Sequence, residues 1–237
     1  TVLAQAQAAA ERATNRRIAA SAQLLRMRVR LYSAEPGDWS DETLRIADSA
    51  IPLFESEGAH SELARAWRLI GLVHGSAARY GQSTYAVSRS MVHARLAGDE
   101  RLISRNAMGL SISTLLGPTP VLEAIARCER MIADGLSDRQ AQSKIICCLA
   151  QLHAMNADFD QARALCRRGR GLLRELGQGV SAASTGIDLL AVELLAGDLA
   201  AAEREVLPDF EFLTRAGETY FLSTIAAMLS RVVRDQG

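Results

Sequence analysis

Seven basic or polar residues at recurring helical positions are the residues of this chain best suited to binding a ligand. Arg65 and Arg68 lie on one predicted helix, and Lys144, the only lysine in the chain, lies on another. Guanidinium and ammonium groups bind carboxylates through charge-assisted hydrogen bonds. We therefore predict a groove for an acidic peptide or a carboxylate. Its other expected lining residues are Ser104, Asn106, Ser111 and Gln151.

The sequence contains no recognisable catalytic or metal-binding motif. The four histidines lack a spacing such as H-E-x-x-H, the four cysteines form no C-x-x-C pair, and no G-x-x-x-x-G-K-S/T phosphate-binding loop occurs. Asp158 and Asp160 stand at a predicted helix start, where capping and the helix dipole account for carboxylates. We therefore expect a protein that is not an enzyme and holds neither a metal nor a cofactor.

Composition argues against nucleic acid and membranes as partners. Basic and acidic residues number 27 each, whereas nucleic-acid binders usually carry a positive excess. The arginines between positions 12 and 30 are interpreted as a solvated helix face. No apolar run approaching the ~18 residues of a membrane span is evident. All cysteines fall in apolar helical segments, which predicts buried free thiols in a reducing, cytoplasmic compartment.

Turn residues recur along the chain about every forty residues, which indicates an internal repeat. One set marks turns inside helix pairs, at Gly37, Ala78, Gly117, Ala157, Gly197 and Gly237. The other set marks turns between pairs, at Gly58, Gly98, Gly135, Gly177 and Gly217. Glycine is common where a helix ends in a left-handed residue. The pattern predicts an all-α, right-handed superhelix (solenoid) of about five helix-turn-helix units and a final unpaired helix.

The apolar spacing between these turns places the individual helices. We expect the first two helices, which only residues 14–15 separate, to be nearly continuous. Pro52 and Pro208 fall inside predicted helices, where a kink or an early break is expected. The predicted helices cover residues 2–13, 15–34, 41–57, 60–79, 82–97, 100–116, 119–134, 138–156, 159–176, 178–196, 199–216 and 218–236.

Several residues have the pattern of helix caps. Thr119 is expected to cap the helix that follows Gly117, with a proline at its first helical position. Two capping boxes are also predicted, in which the first residue caps the helix and a glutamine reaches back to it. They pair Ser137 with Gln140 and Asp158 with Gln161.

Short segments resemble tetratricopeptide repeats. Residues 67–71 (WRLIG) match the W-x-x-L-G opening of a first repeat helix, and Tyr80 stands where an aromatic residue follows the turn. Residues 158–162 (DFDQA) show the same order of turn, aromatic residue and alanine. Residues 197–202 (GDLAAA) repeat it with leucine in place of the aromatic residue. The resemblance implies helix-turn-helix units, although the period here is longer than the strict ~34 residues.

Other segments are similar to one bacterial family of large multidomain signalling proteins. They are residues 116–120 (LGPTP), 124–129 (AIARCE), 194–205 (LLAGDLAAAERE) and 222–226 (LSTIA). In that family an adenylate/guanylate cyclase-type domain and a signal-transducing ATPase domain precede a helical-repeat region. The resemblance implies that residues 1–237 are a single helical-repeat domain, a fragment of such a protein without its enzymatic parts.

These observations favour a non-catalytic interaction or sensor module of a bacterial signalling protein. The expected partner is a protein, a peptide or another domain of the same chain, bound in the concave groove. The alternative is a small-molecule sensor, in which a pocket lined by Arg68, Asn106 and Lys144 would take an acidic metabolite. Residues 218–236 lack a partner helix, so this end could also pair two copies of the chain as a homodimer.

Overall fold

A computed structural model describes residues 2–32, 39–136 and 138–236, and the regular structure in these ranges is entirely α-helical. The fold class predicted from the sequence is therefore confirmed for the described chain. The helices are α1 (Val2–Arg12), α2 (Arg16–Leu31), α3 (Trp39–Ser56), α4 (His60–Ser76), α5 (Tyr80–Leu96), α6 (Glu100–Leu116), α7 (Val121–Ala133), α8 (Arg139–Met155), α9 (Phe159–Glu175), α10 (Gly179–Ser184), α11 (Gly186–Ala196), α12 (Leu199–Arg215) and α13 (Tyr220–Gln236).

The helices group into two compact units. Unit 1 comprises Thr1–Pro118, with α1 to α6, and unit 2 comprises Thr119–Gly237, with α7 to α13. The division falls inside the LGPTP segment, so the two helices of one predicted pair, α6 and α7, belong to different units. The prediction that all 237 residues form one domain stays a prediction.

In unit 1 each helix packs against the next along the chain, as expected for antiparallel helices joined by short turns. Helix α4 also contacts α2 and α6. We call α2, α4 and α6 the inner helices of unit 1. The side chains of Phe54, Leu63 and Val73, on α3 and α4, are almost completely buried. Each helix pair thus buries its apolar face against its neighbours, as in stacked repeats.

Unit 2 follows the same plan with one irregularity. Helix α8 packs on α9, while α11 contacts α8, α9, α12 and α13. The side chains of Ile145, Leu152, Leu190 and Val206 are almost completely buried at these contacts. The irregularity is the predicted helix 178–196, which is divided at Thr185 into α10 and α11.

The two sets of repeat turns are confirmed at nearly every described position. The backbone has a positive φ one or two residues after the helix end at Gly58, Gly98, Gly135, Gly177, Gly197 and Gly217. Ala78 and Ala157 adopt the same left-handed conformation without being glycine. Gly117 is the exception, because its backbone is extended, with φ −94° and ψ −172°. The predicted turns at Gly37 and Gly237 lie outside the described residues.

The predicted caps are only partly correct. Helix α7 begins at Val121, and the capping position belongs to Pro120, so the assignment of Thr119 as its cap is wrong. Asp158 occupies the cap position of α9 but makes no capping hydrogen bond, since its carboxylate contacts His153 instead. Asp138 caps α8 by accepting from two backbone amides. Ser137, predicted for that role, lies outside the described residues.

The two prolines do not end their helices. Helix α3 continues past Pro52 and α12 continues past Pro208, so the expected early breaks are absent. The first two helices are not continuous either. Thr14 has φ 56°, and Asn15 caps α2 by accepting a hydrogen bond from the amide of Ile18.

Unit 2 contains an apolar stretch that was not expected from the sequence. By length and composition alone, residues Gly179–Ala196 could cross a membrane. Half of this stretch is buried inside the protein, and it includes the break at Thr185. It also carries Asp188 and Glu193, which pair with basic side chains of neighbouring helices. These are the contacts of a core helix.

The left-handed turns give a direct stability prediction. Gly177→Ala should lower the free energy of unfolding by about 1 kcal/mol, because Cβ disfavours φ +69°. Gly171→Ala, in the interior of neighbouring α9, should raise it by about 0.5 kcal/mol or more, because the added Cβ meets no atom within 4 Å. Urea unfolding followed by circular dichroism measures both. Equal effects for the two variants would contradict the assigned turn conformation.

Candidate ligand-binding groove

Unit 1 has a groove of about 740 Å³ lined by residues of α2, α4, α5 and α6. This volume is within the range of pockets that hold small ligands or short peptides. Its apolar wall includes Leu72, Val87, Leu102, Met108 and Ile112. Its charged residues are all basic: Arg28 from α2, Arg68 from α4 and Arg105 from α6. An anionic ligand with apolar groups fits such a lining.

Arg68 lies across the groove from α4 to α6. Its Nη1 donates to the backbone oxygen of Arg105 at 2.8 Å and to Oδ1 of Asn106 at 3.2 Å. Gly109 leaves the space that the guanidinium occupies, since a Cβ there would lie 2.8 Å from Nη1. The small residue on α6 and the long one on α4 therefore fit each other.

The positive charge of Arg68 is not balanced by any acid of the described residues. Burial lowers its pKa to about 10, with further lowering by Arg105 and Arg28, while Tyr32 acts in the opposite direction. An arginine still stays protonated at pH 7. Neither Arg68 nor the two neighbouring arginines makes an ion pair with a described carboxylate. Within the described ranges, Arg68 is therefore a groove cation without an acidic partner.

A buried network of hydrogen bonds holds Asn106, the side chain that accepts from Arg68. Asn106 Nδ2 donates to Ser90 Oγ at 2.8 Å, and Ser90 Oγ donates to the backbone oxygen of Ala64 at 2.6 Å. Asn106 and Ser90 are completely buried. Because Ala64 lies one turn before Arg68 on the same helix, the network closes on itself through α4, α5 and α6.

The seven predicted groove residues divide into two separate groups. In unit 1, Arg65 is exposed and lines a cavity of about 40 Å³ together with Arg28 and Arg68. Ser104, Asn106 and Ser111 are buried at 2%, 0% and 0% exposure, so they pack between helices and present no open surface. Ser111 donates to the backbone of its own helix. Lys144 and Gln151 belong to unit 2.

Lys144 and Gln151 contact the same carboxylate. Lys144 Nζ lies 3.1 Å from Asp188 Oδ1, and Gln151 Nε2 donates to that oxygen at 2.7 Å. Burial by itself would lower the pKa of the Lys144 ammonium, but the attraction of Asp188 prevails and raises it. Lys144 therefore already has an internal acidic partner. Sequence reasoning missed Asp188 because it lies inside an apolar segment, where an acid is itself a signal of pairing.

Two further ion pairs connect the helices of unit 2. Arg163 donates from Nε and Nη2 to the two oxygens of Glu193, at 2.9 and 2.6 Å. Arg170 donates to Asp209 at 2.5 Å and to Thr185 Oγ1 at 3.1 Å. Burial raises the pKa of Asp209, while Arg170 opposes this shift. Glu193 of α11 and Asp209 of α12 thus each have a basic partner on α9.

The structure brings together two histidines that the sequence left scattered. The Nδ1 atoms of His60 and His93 lie 3.2 Å apart, so one imidazole donates to the other. His93 is 8% exposed, and its Nε2 has no partner among the described residues. Its pKa is lowered by burial first, then by Arg89 and His60, with Glu55 acting in the opposite direction.

The cysteines and Trp67 behave as packing residues. Cys128, Cys147, Cys148 and Cys166 are buried thiols, as predicted. Burial raises the pKa of the Cys128 thiol to about 12, which makes it a poor nucleophile. Trp67 packs edge-on against Tyr85 at 5.9 Å, with Arg89 over its ring. In the described part of the chain, no group of three or more potential metal ligands occurs.

Comparisons with known proteins relate the chain to solved helical-repeat structures. No family model matches the sequence, and no curated protein matches it. The chain is similar in structure to a Rap protein complexed with competence and sporulation factor, with TM-score 0.51 and 12% identity, over 92% of this chain. It spans only 62% of that Rap protein. It is also similar to the apo form of RapI, with TM-score 0.52 and 15% identity, over 98% of this chain and 97% of RapI.

These likenesses concern the fold alone, because the identities are low. They agree with the predicted tetratricopeptide-like helical repeats. They contain nothing that connects the chain to cyclase or ATPase domains.

The Lys144–Asp188 pair predicts that removing a buried charge costs more free energy of unfolding than removing an exposed one. Asp188→Asn should lower the free energy of unfolding by about 2 kcal/mol or more, because Lys144 loses its counter-charge in a mostly buried setting. Glu123→Gln, in the exposed Glu123–Arg127 pair of the same unit, should change it by less than about 0.5 kcal/mol. Urea unfolding compares them. Equal costs would contradict a structural role for Asp188.

The histidine pair predicts a loss of stability in acid. Because the pKa of His93 is lowered in the folded state, the unfolded state binds more protons as pH falls below the ordinary histidine pKa of about 6.5, and unit 1 loses stability there. Both tryptophans lie in unit 1, so their fluorescence can follow its urea unfolding at pH 7.5 and 5.5. His93→Gln should reduce the difference between the two midpoints.

His153→Gln serves as the control, because His153 lies in unit 2. This variant should retain the wild-type difference in tryptophan-monitored midpoints. If His93→Gln also retains that difference, the His60–His93 pair does not cause the loss of stability in acid.

Proposed function

We propose that this chain is a non-catalytic interaction module that binds an acidic peptide segment of a partner protein in the groove of unit 1. The observation that carries the proposal is Arg68, a largely buried cation at a groove whose described lining residues include no acid. Burying a charge is unfavourable unless a counter-charge or strong hydrogen bonds compensate it. A ligand carboxylate supplies that compensation, and the apolar wall of the groove binds the side chains beside it.

The contrast with unit 2 supports this proposal. There, Lys144, Arg163 and Arg170 each contact a buried carboxylate from a neighbouring helix. In unit 1, Arg68 on the inner helix α4 instead contacts Asn106, a neutral residue on the inner helix α6. Arg68 thus differs from these three cations of unit 2 in having no acid as a partner among the described residues. The groove beside Arg68, about 740 Å³, is also larger than the cavity of about 250 Å³ beside Arg163 and Arg170.

The similarity to a Rap protein in complex with competence and sporulation factor adds support, since it shows that a helical-repeat protein of this fold engages a partner. We extend this to a regulatory role in bacterial signalling in the cytoplasm. Binding would favour one of two packings of the repeats and thereby influence attached domains. That the chain is one domain of a longer protein with cyclase and ATPase parts is likewise a proposal, which rests on the sequence resemblance.

The test selects peptides from a random 12-residue library displayed on phage, with the full chain as bait, and measures their affinity by fluorescence anisotropy. Arg105→Glu should weaken binding about tenfold or more, because the change reverses a charge at the groove. Arg101→Glu is the matched control, because Arg101 is equally exposed on α6 but is not a groove residue. It should leave the affinity within about twofold.

The composition of the selected peptides is a second result. We expect aspartate or glutamate beside aliphatic residues, because the groove combines arginines with an apolar wall. If the library yields no binder, or if its binders ignore Arg105→Glu, the proposed function is wrong.

A further inference from the structure

The hydrogen bonds of Arg68 use only one of its three guanidinium nitrogens. Both described bonds leave from Nη1, to the Arg105 carbonyl and to Asn106 Oδ1. A primary guanidinium nitrogen carries two hydrogens, so Nη1 is fully used. Nε and Nη2 have no partner among the described residues, and neither atom is completely shielded from solvent.

The two unused nitrogens form a geometric fork. The guanidinium is planar and rigid, and two of its N–H bonds on adjacent nitrogens run parallel, spaced to match the two oxygens of a carboxylate. Fixing Nη1 on α6 determines where this second edge points. In unit 2 the same edge of Arg163 already binds Glu193 in this manner, through Nε and Nη2.

We infer that the Nε/Nη2 edge of Arg68 is a bidentate clamp for one carboxylate of the ligand, and that Asn106 and Ser90 are positioning residues that orient it. This inference rests on the proposed binding role of the groove. The ligand class is a peptide segment in which an aspartate or glutamate side chain adjoins aliphatic residues. The carboxylate meets Arg68, and the aliphatic neighbours meet Leu72 and Met108 on the apolar wall.

The positioning role follows from the closed network. Asn106 holds Nη1 through its oxygen, while its own amide is held by Ser90, which is anchored on the Ala64 carbonyl of α4. Asn106 thus has its acceptor and a donor both engaged, which fixes its side-chain orientation. A rotation of the Arg68 guanidinium would break at least two of these bonds.

A positive charge alone would not bind a carboxylate in this bidentate manner. Lysine would keep the positive charge but would lose both the fork and the contact of Nη1 with two acceptors. The inference therefore separates Arg68 from Arg28 and Arg105, which are exposed and contribute general attraction. A carboxylate should bind better than a neutral amide of the same shape.

The experiment uses two probe peptides, acetyl-LDLL-amide and acetyl-LNLL-amide, which differ only in a carboxylate against an amide. Nitrogen-15 NMR of the arginine side chains follows binding to the full chain at millimolar concentrations, as suits a weak short ligand. The Nε–H resonance of Arg68 is assigned by its absence from Arg68→Lys. We expect the LDLL peptide to shift this resonance and to bind at least tenfold more tightly than LNLL.

Variants distinguish bidentate binding of a carboxylate by Arg68 from general attraction by its positive charge. Arg68→Lys should abolish the preference of LDLL over LNLL, although it keeps the charge. Asn106→Ala should move the Arg68 Nε–H resonance before any ligand is added and should reduce the preference, and Ser90→Ala should produce a smaller change of the same kind. If Asn106 had a merely structural role, Asn106→Ala would leave the preference for LDLL over LNLL unchanged.

The outcomes separate this inference from the proposed function. If LDLL fails to move the Arg68 resonance, or if Arg68→Lys retains the full preference, the clamp is wrong. The proposed function survives that result if library-selected peptides still bind in a manner that depends on Arg105. If no peptide binds at all, both are wrong.

Discussion

Arg68, a largely buried arginine with no acidic partner in the part of unit 1 that the structure describes, is the constraint on which this unit depends. Removing a guanidinium from water is costly, and the described groups that compensate for it are neutral acceptors. This requires Asn106 to be buried, Gly109 to lack a side chain, and α4, α5 and α6 to keep a common register. Asn106, which the sequence suggested as part of a ligand surface, thus binds the arginine instead. The surface that remains for a ligand is the arginine itself and the apolar residues around it.

Unit 2 meets the same physical problem in a different way. Lys144, Arg163 and Arg170 contact one buried acid each on α11 or α12: Asp188, Glu193 and Asp209. Such pairs fix the relative position of helices, since a shift would leave a charge unpaired. The difference between the units is therefore chemical rather than architectural. Both units stack helices and both contain ion pairs between helices, such as Arg17–Glu62 in unit 1, but Arg68 makes none with a described acid.

The fold could be predicted because its signals are local and repeated. Helix ends are specified by glycines that adopt a left-handed conformation, and the apolar period between them depends on a few residues at a time. Features that depend on contacts distant in sequence were missed, such as the pairing of Lys144 with Asp188 and of His60 with His93. The seven candidate residues were placed correctly on helices, but their burial could not be known, because it depends on the neighbouring helix. Thr119 shows a second limit, since Gly117 is extended and the cap position of α7 falls on Pro120, one residue later than predicted.

The near absence of lysine has a consequence for how the chain can be modified. Lys144 is the only lysine in these 237 residues, and its amine is held against Asp188. Acetylation or an amine-reactive label would therefore have one lysine side chain to reach, and its reaction would disrupt an ion pair of unit 2. The positive charge of the unit 1 groove is carried entirely by arginine. Reagents and enzymes that act on lysine would leave that charge untouched.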